Sequence, residues 1–352
     1  MKRMACATAI FLAIFAAPAA AIRVPGLYQA EVIVTDQGGR VRSAGIVSAL
    51  REVLVKLTGD RYAPGGAAAA PVLNNAEQYV QQYRYREVTL PAPEAGQPAA
   101  RELHLWVQFD QNALDRDLRN QGIPVWGAER PSTLLWVVMR DEQGTRWLTP
   151  EDDPELFQAI NARAAARGIA VISPLLDLQD SGAVQTSDVW GGFRTPILDA
   201  SARYQTDAIL AGAIESSANG IWEGRWIAFL GGQSTTWSSQ SDLADAMLEE
   251  GMDGLADILA SRFAQAVNPG TEEQVTINIS GVSTMDQYAR ILEYMKSLNS
   301  VSDLQVVHVA PGKLSISLTA HGGQLALSQS IELGRILEPL AGASANSYRY
   351  IP

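Results

Sequence analysis

Cysteine occurs once in the 352 residues, at Cys6. Disulfides and thiolate chemistry are excluded from everything after it, so stability has to come from packed cores. Histidine is almost as scarce. His104, His308 and His321 each lack a second histidine or cysteine at ligand spacing, which excludes a zinc site built mainly from those residues. Lysine occurs four times, as Lys2, Lys56, Lys296 and Lys313, in an acidic chain of formal net charge −11 with no basic block. The chain is thereby a poor candidate for anionic lipid, and no nucleic-acid partner is expected, because binding to phosphate needs clustered cations. No apolar run reaches the roughly 20 residues that a spanning helix needs, so no transmembrane anchor is expected in the mature chain. Nucleophile and phosphate motifs are missing too. There is no Gly-x-Ser-x-Gly elbow, and Val53, Glu293 and Ala310 stand where a Ser-x-x-Lys dyad needs serine. Gly231-Gly232 and Gly322-Gly323 lack the spacing and lysine of a phosphate loop. No cofactor, metal or catalytic residue is expected.

What is present begins with an export pattern. Lys2 and Arg3 precede an apolar run from Ala9 to Ala17, then Pro18 and Ala19-Ala20-Ala21. This order reads as a secretory signal peptide over 1–21, cleaved after Ala21, and it places the mature protein in the periplasm.

The rest divides into three small α/β units, giving a mixed α/β and α+β fold class. The first, 22–128, reads β-α-α-β-β-α. Its strand ends near Val34, and a helix carries Val47, Leu50, Leu54 and Leu57. A second helix is predicted over Val72–Gln82, and Leu103, Leu105, Val107 and Phe109 alternate as a strand. Gly122 to Pro131 reads as a linker. The middle unit, 129–268, opens on the buried strand Leu134–Met139 and continues through Ala208–Gly212. A hairpin follows, turned at Gly231-Gly232. The helix after it, Asp242–Ala266, has two interior glycines, Gly251 and Gly254, which suit a close helix–sheet contact. The last unit, 272–352, reads β-α-β-β-α-β, the ferredoxin-like order. Ser283 with Asp286 resembles a capping box before its first helix.

Acidic residues are plentiful. Glu151-Asp152-Asp153 and Asp110 precede helices, where negative charge complements the helix N-terminus. Glu249, Glu250, Asp253 and Asp257 read mostly as a solvated helix face. Six of the eight tryptophans fall from Trp136 to Trp237. Trp222 and Trp226 are four apart on one strand and share a face, with Glu223 and Arg225 on the other. Packing against the long helix is the plain reading. The alternative makes Trp222, Arg225, Trp226 and Trp237 a binding platform, since Trp and Arg are enriched at interface hot spots.

The opening Val24-Pro25-Gly26-Leu27-Tyr28-Gln29-Ala30-Glu31-Val32 and the helix Ala49 to Gly59 resemble a proteobacterial envelope family, domain of unknown function 2066. Gly281-Val282-Ser283 to Leu298 and Leu314 to Leu318 are similar to it as well. The resemblance implies an exported protein and carries over no site residue. The run Thr206 to Ile214, followed by Trp222 and Arg225-Trp226, resembles the TolB N-terminal region and lipoproteins of the CsgG and LpoB type. That likeness implies binding to other envelope proteins. The expectation is a non-catalytic periplasmic adaptor or assembly factor with an envelope protein as partner. The alternatives are an envelope glycan-binding protein and a carboxylate-dependent glycan hydrolase.

Overall fold

The computed structural model describes residues 22–90, 100–141, 144–217, 219–264, 272–298, 300–334, 336–340 and 346–351. The signal-peptide expectation for 1–21 lies outside them. The fold is mixed α/β and α+β, built on three main sheets.

The first sheet follows a short strand, β1 (Ile22–Arg23). It contains β2 (Gln29–Val34), β3 (Val80–Thr89) and β4 (Arg101–Phe109) in the antiparallel order β2-β4-β3. Helix α1 (Gly39–Thr58) covers one face. Its Leu50, Val53, Leu54 and Leu57 recur at helical spacing and are sealed against Val32, Leu105 and Val107. The helix predicted over Val72–Gln82 is only α2 (Ala70–Asn74) plus a 3-10 turn. The Asn75 side chain donates from Nδ2 to the Pro71 carbonyl at 2.9 Å. That bond competes with helix continuation, and the β-branched and aromatic residues of 80–89 then pair as a strand. Helix α3 (Gln111–Asn120) closes the unit, capped by Asp110, which accepts from the Ala113 N–H at 2.8 Å.

The segment read as a linker is packed instead. Trp126 and Arg130 are 2% and 0% exposed. The helix α1 C-terminus explains why, since its last carbonyls need donors. The Trp126 N–H bonds the Leu57 carbonyl at 2.6 Å, and Arg130 Nη2 bonds the Lys56 carbonyl at 2.8 Å. β5 (Glu129–Arg130) also pairs antiparallel with β1.

The second sheet is centred on β6 (Ser132–Asp141). Helix α4 (Pro154–Arg167) follows β7 (Gly144–Trp147) and leads to β8 (Ala170–Ile172). Then come α5 (Leu178–Ala183), α6 (Thr186–Gly191), α7 (Arg194–Ser201), β9 (Ala208–Ser216), β10 (Trp222–Leu230), β11 (Gln233–Ser241) and α8 (Ala244–Phe263). The order is β11-β10-β9-β6-β7, with β8 also on β6; β8 and β9 run parallel to β6. Helices α4 and α8 cover one face, touching Leu135 and Val137, while α5–α7 cover Leu134, Trp136 and Val138 on the other. Burial on both faces is why β6 reads as an unbroken apolar run. The hairpin turns at Gly231 and Gly232, with φ of 55° and 81°, as expected for a two-residue turn.

The third sheet contains β12 (Glu272–Val282), β13 (Val301–Ala310), β14 (Gly312–His321), β15 (Leu337–Pro339) and β16 (Ser347–Tyr350), with helices α9 (Met285–Ser297) and α10 (Gly323–Gly334). Its order is β13-β14-β12-β16-β15. The ferredoxin-like expectation holds for the spatial order of the first four and departs in direction. The strand after α10 is β15, displaced to the edge, so β16 returns beside β12 in parallel. The capping box is one residue later than Ser283 and Asp286. Thr284 and Gln287 form it, because Gln287 reaches back to the Thr284 N–H at 3.1 Å.

Candidate functional site

The β10–β11 hairpin splits its residues by parity. Gly224 and Trp226 turn toward α8. A Cβ on Gly251 would lie 2.4 Å from Trp226, and one on Gly254 would lie 2.5 Å from Trp237. The two interior glycines are therefore the close helix–sheet contact that the sequence suggested. Trp226 is 1% exposed, stacks on Trp237 at 6.4 Å, and donates from Nε1 to Ser239 Oγ at 3.0 Å. Trp222 and Trp237 are half-buried against the same core. The platform reading of Trp222, Trp226 and Trp237 is corrected accordingly: these rings fill the space the glycines leave.

Arg225 is different. It lies on the opposite face, exposed, with its guanidinium 5.0 Å from the centroid of the Trp190 ring. Arg140, from the far end of β6, stands 3.5 Å from the same centroid. Trp190 is fixed by a short local design. Helix α6 opens with a capping box between Gln185 and Asp188 and stops at Gly192, whose φ is 67°. Arg140 is held by Thr145 at 3.0 Å and by Glu215 at 3.8 Å. Arg225 has no ion pair among the described residues. Beside it runs a groove of about 440 Å³ floored by Ala211, Ala213 and Ile227, with Thr236 and Ser238 on the edge strand. The arrangement offers a cation over an aromatic ring, hydroxyl donors, and an unpaired strand edge at β11.

Sequence reasoning placed Arg225 on the free face and missed Trp190 and Arg140. Arg140 and Trp190 are fifty residues apart, with no spacing rule to join them. The remaining signal was a tryptophan directly before Gly191-Gly192.

Several other charged groups have structural employment. Asp253 is 1% exposed on α8 and receives Arg61 at 3.1 Å and Arg163 Nε at 2.8 Å, with Arg167 at 2.5 Å. Burial pushes this carboxyl up, but the bonds from Arg163 and Arg167 outweigh it and hold it low. The solvated-face reading fails at this one residue. Asp153 is clamped by Arg146 at 2.5 and 2.8 Å. Burial raises Glu52, and raises Asp115 to about 6. Neither is raised by a neighbouring carboxylate, the coupling that a hydrolase pair relies on. His104 bonds Glu31 at 2.9 Å and Glu102 at 3.2 Å on the outer face of the first sheet, as its strand parity required. His308 is exposed, and His321 lies 3.6 Å from Glu272. Among the described residues no cluster suits a metal and no helix is long and apolar enough to cross a membrane.

Comparison with known proteins gives a partial match. The model of a family described as Domain of unknown function (DUF8605) matches residues 21–127, less than half of the chain. The match coincides with the first sheet and its helices. It overturns the resemblance to domain of unknown function 2066, which rested on a strand–helix pattern that many small α/β units share. The likeness to TolB, CsgG and LpoB finds no counterpart either. No curated protein matches. Five solved chains do, among them one titled "Crystal structure of uncharacterized protein". It is 14% identical, covering 38% of this chain and 98% of that one, with a TM-score of 0.16. The family description names no activity.

Proposed function

We propose that this protein is a non-catalytic adaptor of the cell envelope, acting in the periplasm, that holds a protein partner on the free face of the β10–β11 hairpin. The observation that carries the reading is Arg225, an exposed guanidinium without an ion pair among the described residues, steadied over Trp190 at the edge of an open groove. Trp and Arg in such a setting are the residues from which hot spots are made. The edge of β11 adds unpaired main-chain groups that an extended segment of a partner satisfies. The export pattern at 1–21 supports the compartment.

In-cell photocrosslinking from Thr236 or Ser238 tests the reading. Both positions are expected to capture one protein, and capture is expected to fall at least tenfold in the variants Arg225→Ala and Trp190→Ala. The same capture from Thr276, exposed on the third sheet, would count against this surface. Fractionation in parallel is expected to find the mature chain, beginning at Ile22, among periplasmic contents.

A further inference from the structure

A second cavity, of about 490 Å³, lies between the first sheet and the middle unit. Its volume is typical of small-molecule sites, and junctions between folded units are where such sites concentrate. One wall is α4 and the start of β8, through Ala164, Ala165, Ile169 and Val171. The small alanines are what keep it open. The opposite wall is the Val24–Gly26 turn and Ala30, with Trp106 also lining the cavity. Gln29, Glu31, Lys56 and Asn161 bring polar groups to this open cleft.

Two of those groups are charged. Glu31 is already matched, by Arg86 at 2.6 Å and His104 at 2.9 Å. Lys56 is not. Its Nζ gives one hydrogen bond to the Gln29 carbonyl at 2.8 Å, and no carboxylate among the described residues makes an ion pair with it. An ammonium has three donors. Burial lowers the proton affinity of this amine, and Glu52, one turn earlier, only partly restores it.

We infer that this cleft is a binding site for a small molecule with an apolar body and one anionic group, the anion resting on Lys56. The wall supplies apolar contact area, and the anion supplies the charge that Lys56 leaves unmatched. The inference is independent of the adaptor reading and uses no residue of the hairpin groove.

The test is titration of the full mature chain with anilinonaphthalene sulfonate, an apolar fluorescent anion, followed by displacement with decanoate or decanol. Saturation at one site per chain is expected, with decanoate displacing the probe at least tenfold more effectively than decanol. Bound decanoate is also expected to protect Lys56 from an amine-acylating reagent while Lys296 and Lys313 react unchanged. Lys56→Gln should weaken probe binding at least tenfold, and Lys56→Arg should keep it. Ala165 is exposed on the wall, so Ala165→Trp fills the cleft from the surface and should abolish binding without unfolding the chain. Non-saturating fluorescence, or a titration that Ala165→Trp leaves intact, would overturn the site. Equal displacement by decanol and decanoate would overturn the role given to Lys56.

Discussion

Trp226 shows how one side chain organises its neighbours. It is enclosed by three glycines: a Cβ on Gly212 would lie 2.3 Å from its ring, one on Gly251 2.4 Å, and one on Gly224 2.8 Å. Gly→Ala inside a helix ordinarily stabilises by about 1 kcal/mol. Here Gly251→Ala should instead destabilise by about 1–3 kcal/mol, the usual cost of overpacking a core. Trp226→Ala should cost about 3–5 kcal/mol through the cavity it leaves. Urea titration of both variants measures this, and a stabilised Gly251→Ala would show that the helix is free to move away. Asp115 makes a different prediction, about pH. Its carboxyl is buried, takes the Tyr28 hydroxyl at 2.8 and 2.9 Å, and feels Arg119 and Gln111; burial prevails and raises it to about 6. The native state therefore holds a proton that the unfolded chain releases near pH 4. Its contribution to stability is complete below pH 4 and is lost as pH rises through about 6. Near neutrality the ionised group is a liability of about 3 kcal/mol. Asp115→Asn should remove that dependence, so that unfolding free energies of variant and parent diverge between pH 4 and 7 with the variant the more stable.

Helix α8 joins two units. One side receives the tryptophans, while Asp253 and Asp257 receive arginines from elsewhere: Arg163 and Arg167 of α4, and Arg61 beyond α1. Arg167 also bonds the Gly59 carbonyl at 2.8 Å just past the end of α1. Breaking a buried pair strands its partners. Asp253→Ala should therefore cost about 3–5 kcal/mol, whereas Asp257, 46% exposed, should cost about 0–1 kcal/mol when replaced by alanine. Thermal unfolding of the two variants distinguishes them, and equal losses would mean that burial of Asp253 is not what sets its value. The periodicity of α8, its interior glycines and the parity of β10 were legible in the sequence because each is a pattern within one element. Asp253 was not, since its partners lie 86 to 192 residues away. The packed strap at Trp126 and Arg130 was misread for a similar reason: its glycines and prolines look like a linker until the bare carbonyls of α1 are placed beside it. The capping box was off by one residue because serine and threonine are adjacent at Ser283 and Thr284: the Gln287 side chain accepts from both N–H groups, and the Thr284 hydroxyl is the one that accepts from the Gln287 N–H.

At the scale of the whole molecule, the question is which parts stand alone. The first two units share the α1 C-terminus, the buried Arg130 and the Asp253 cluster, so separating them would expose charges that have no other partners. The third sheet has a core of its own, with Ile277, Ile316, Leu318, Ile291, Met295 and Ile331 each 0% exposed. At its junction with the rest lies a small cavity of about 70 Å³ walled by Trp126, Phe263, Leu298 and Leu333, with Arg119 and His321 at its polar side. Residues 272–352 are therefore expected to fold as an isolated fragment. A chain of that size draws no more than about 3–5 kcal/mol from a single core, so its unfolding should be cooperative and its midpoint low. Removing the same segment should leave residues 22–268 folded but with Trp126 and Phe263, stacked at 6.3 Å, newly exposed. The fragment's urea transition by circular dichroism and its amide NMR dispersion test the first half. The second half is tested by the emission maximum of Trp126 in the truncated chain, which should move to longer wavelength relative to the same tryptophan in the full protein. A disordered spectrum for 272–352 would show that the junction supplies stability its own core lacks.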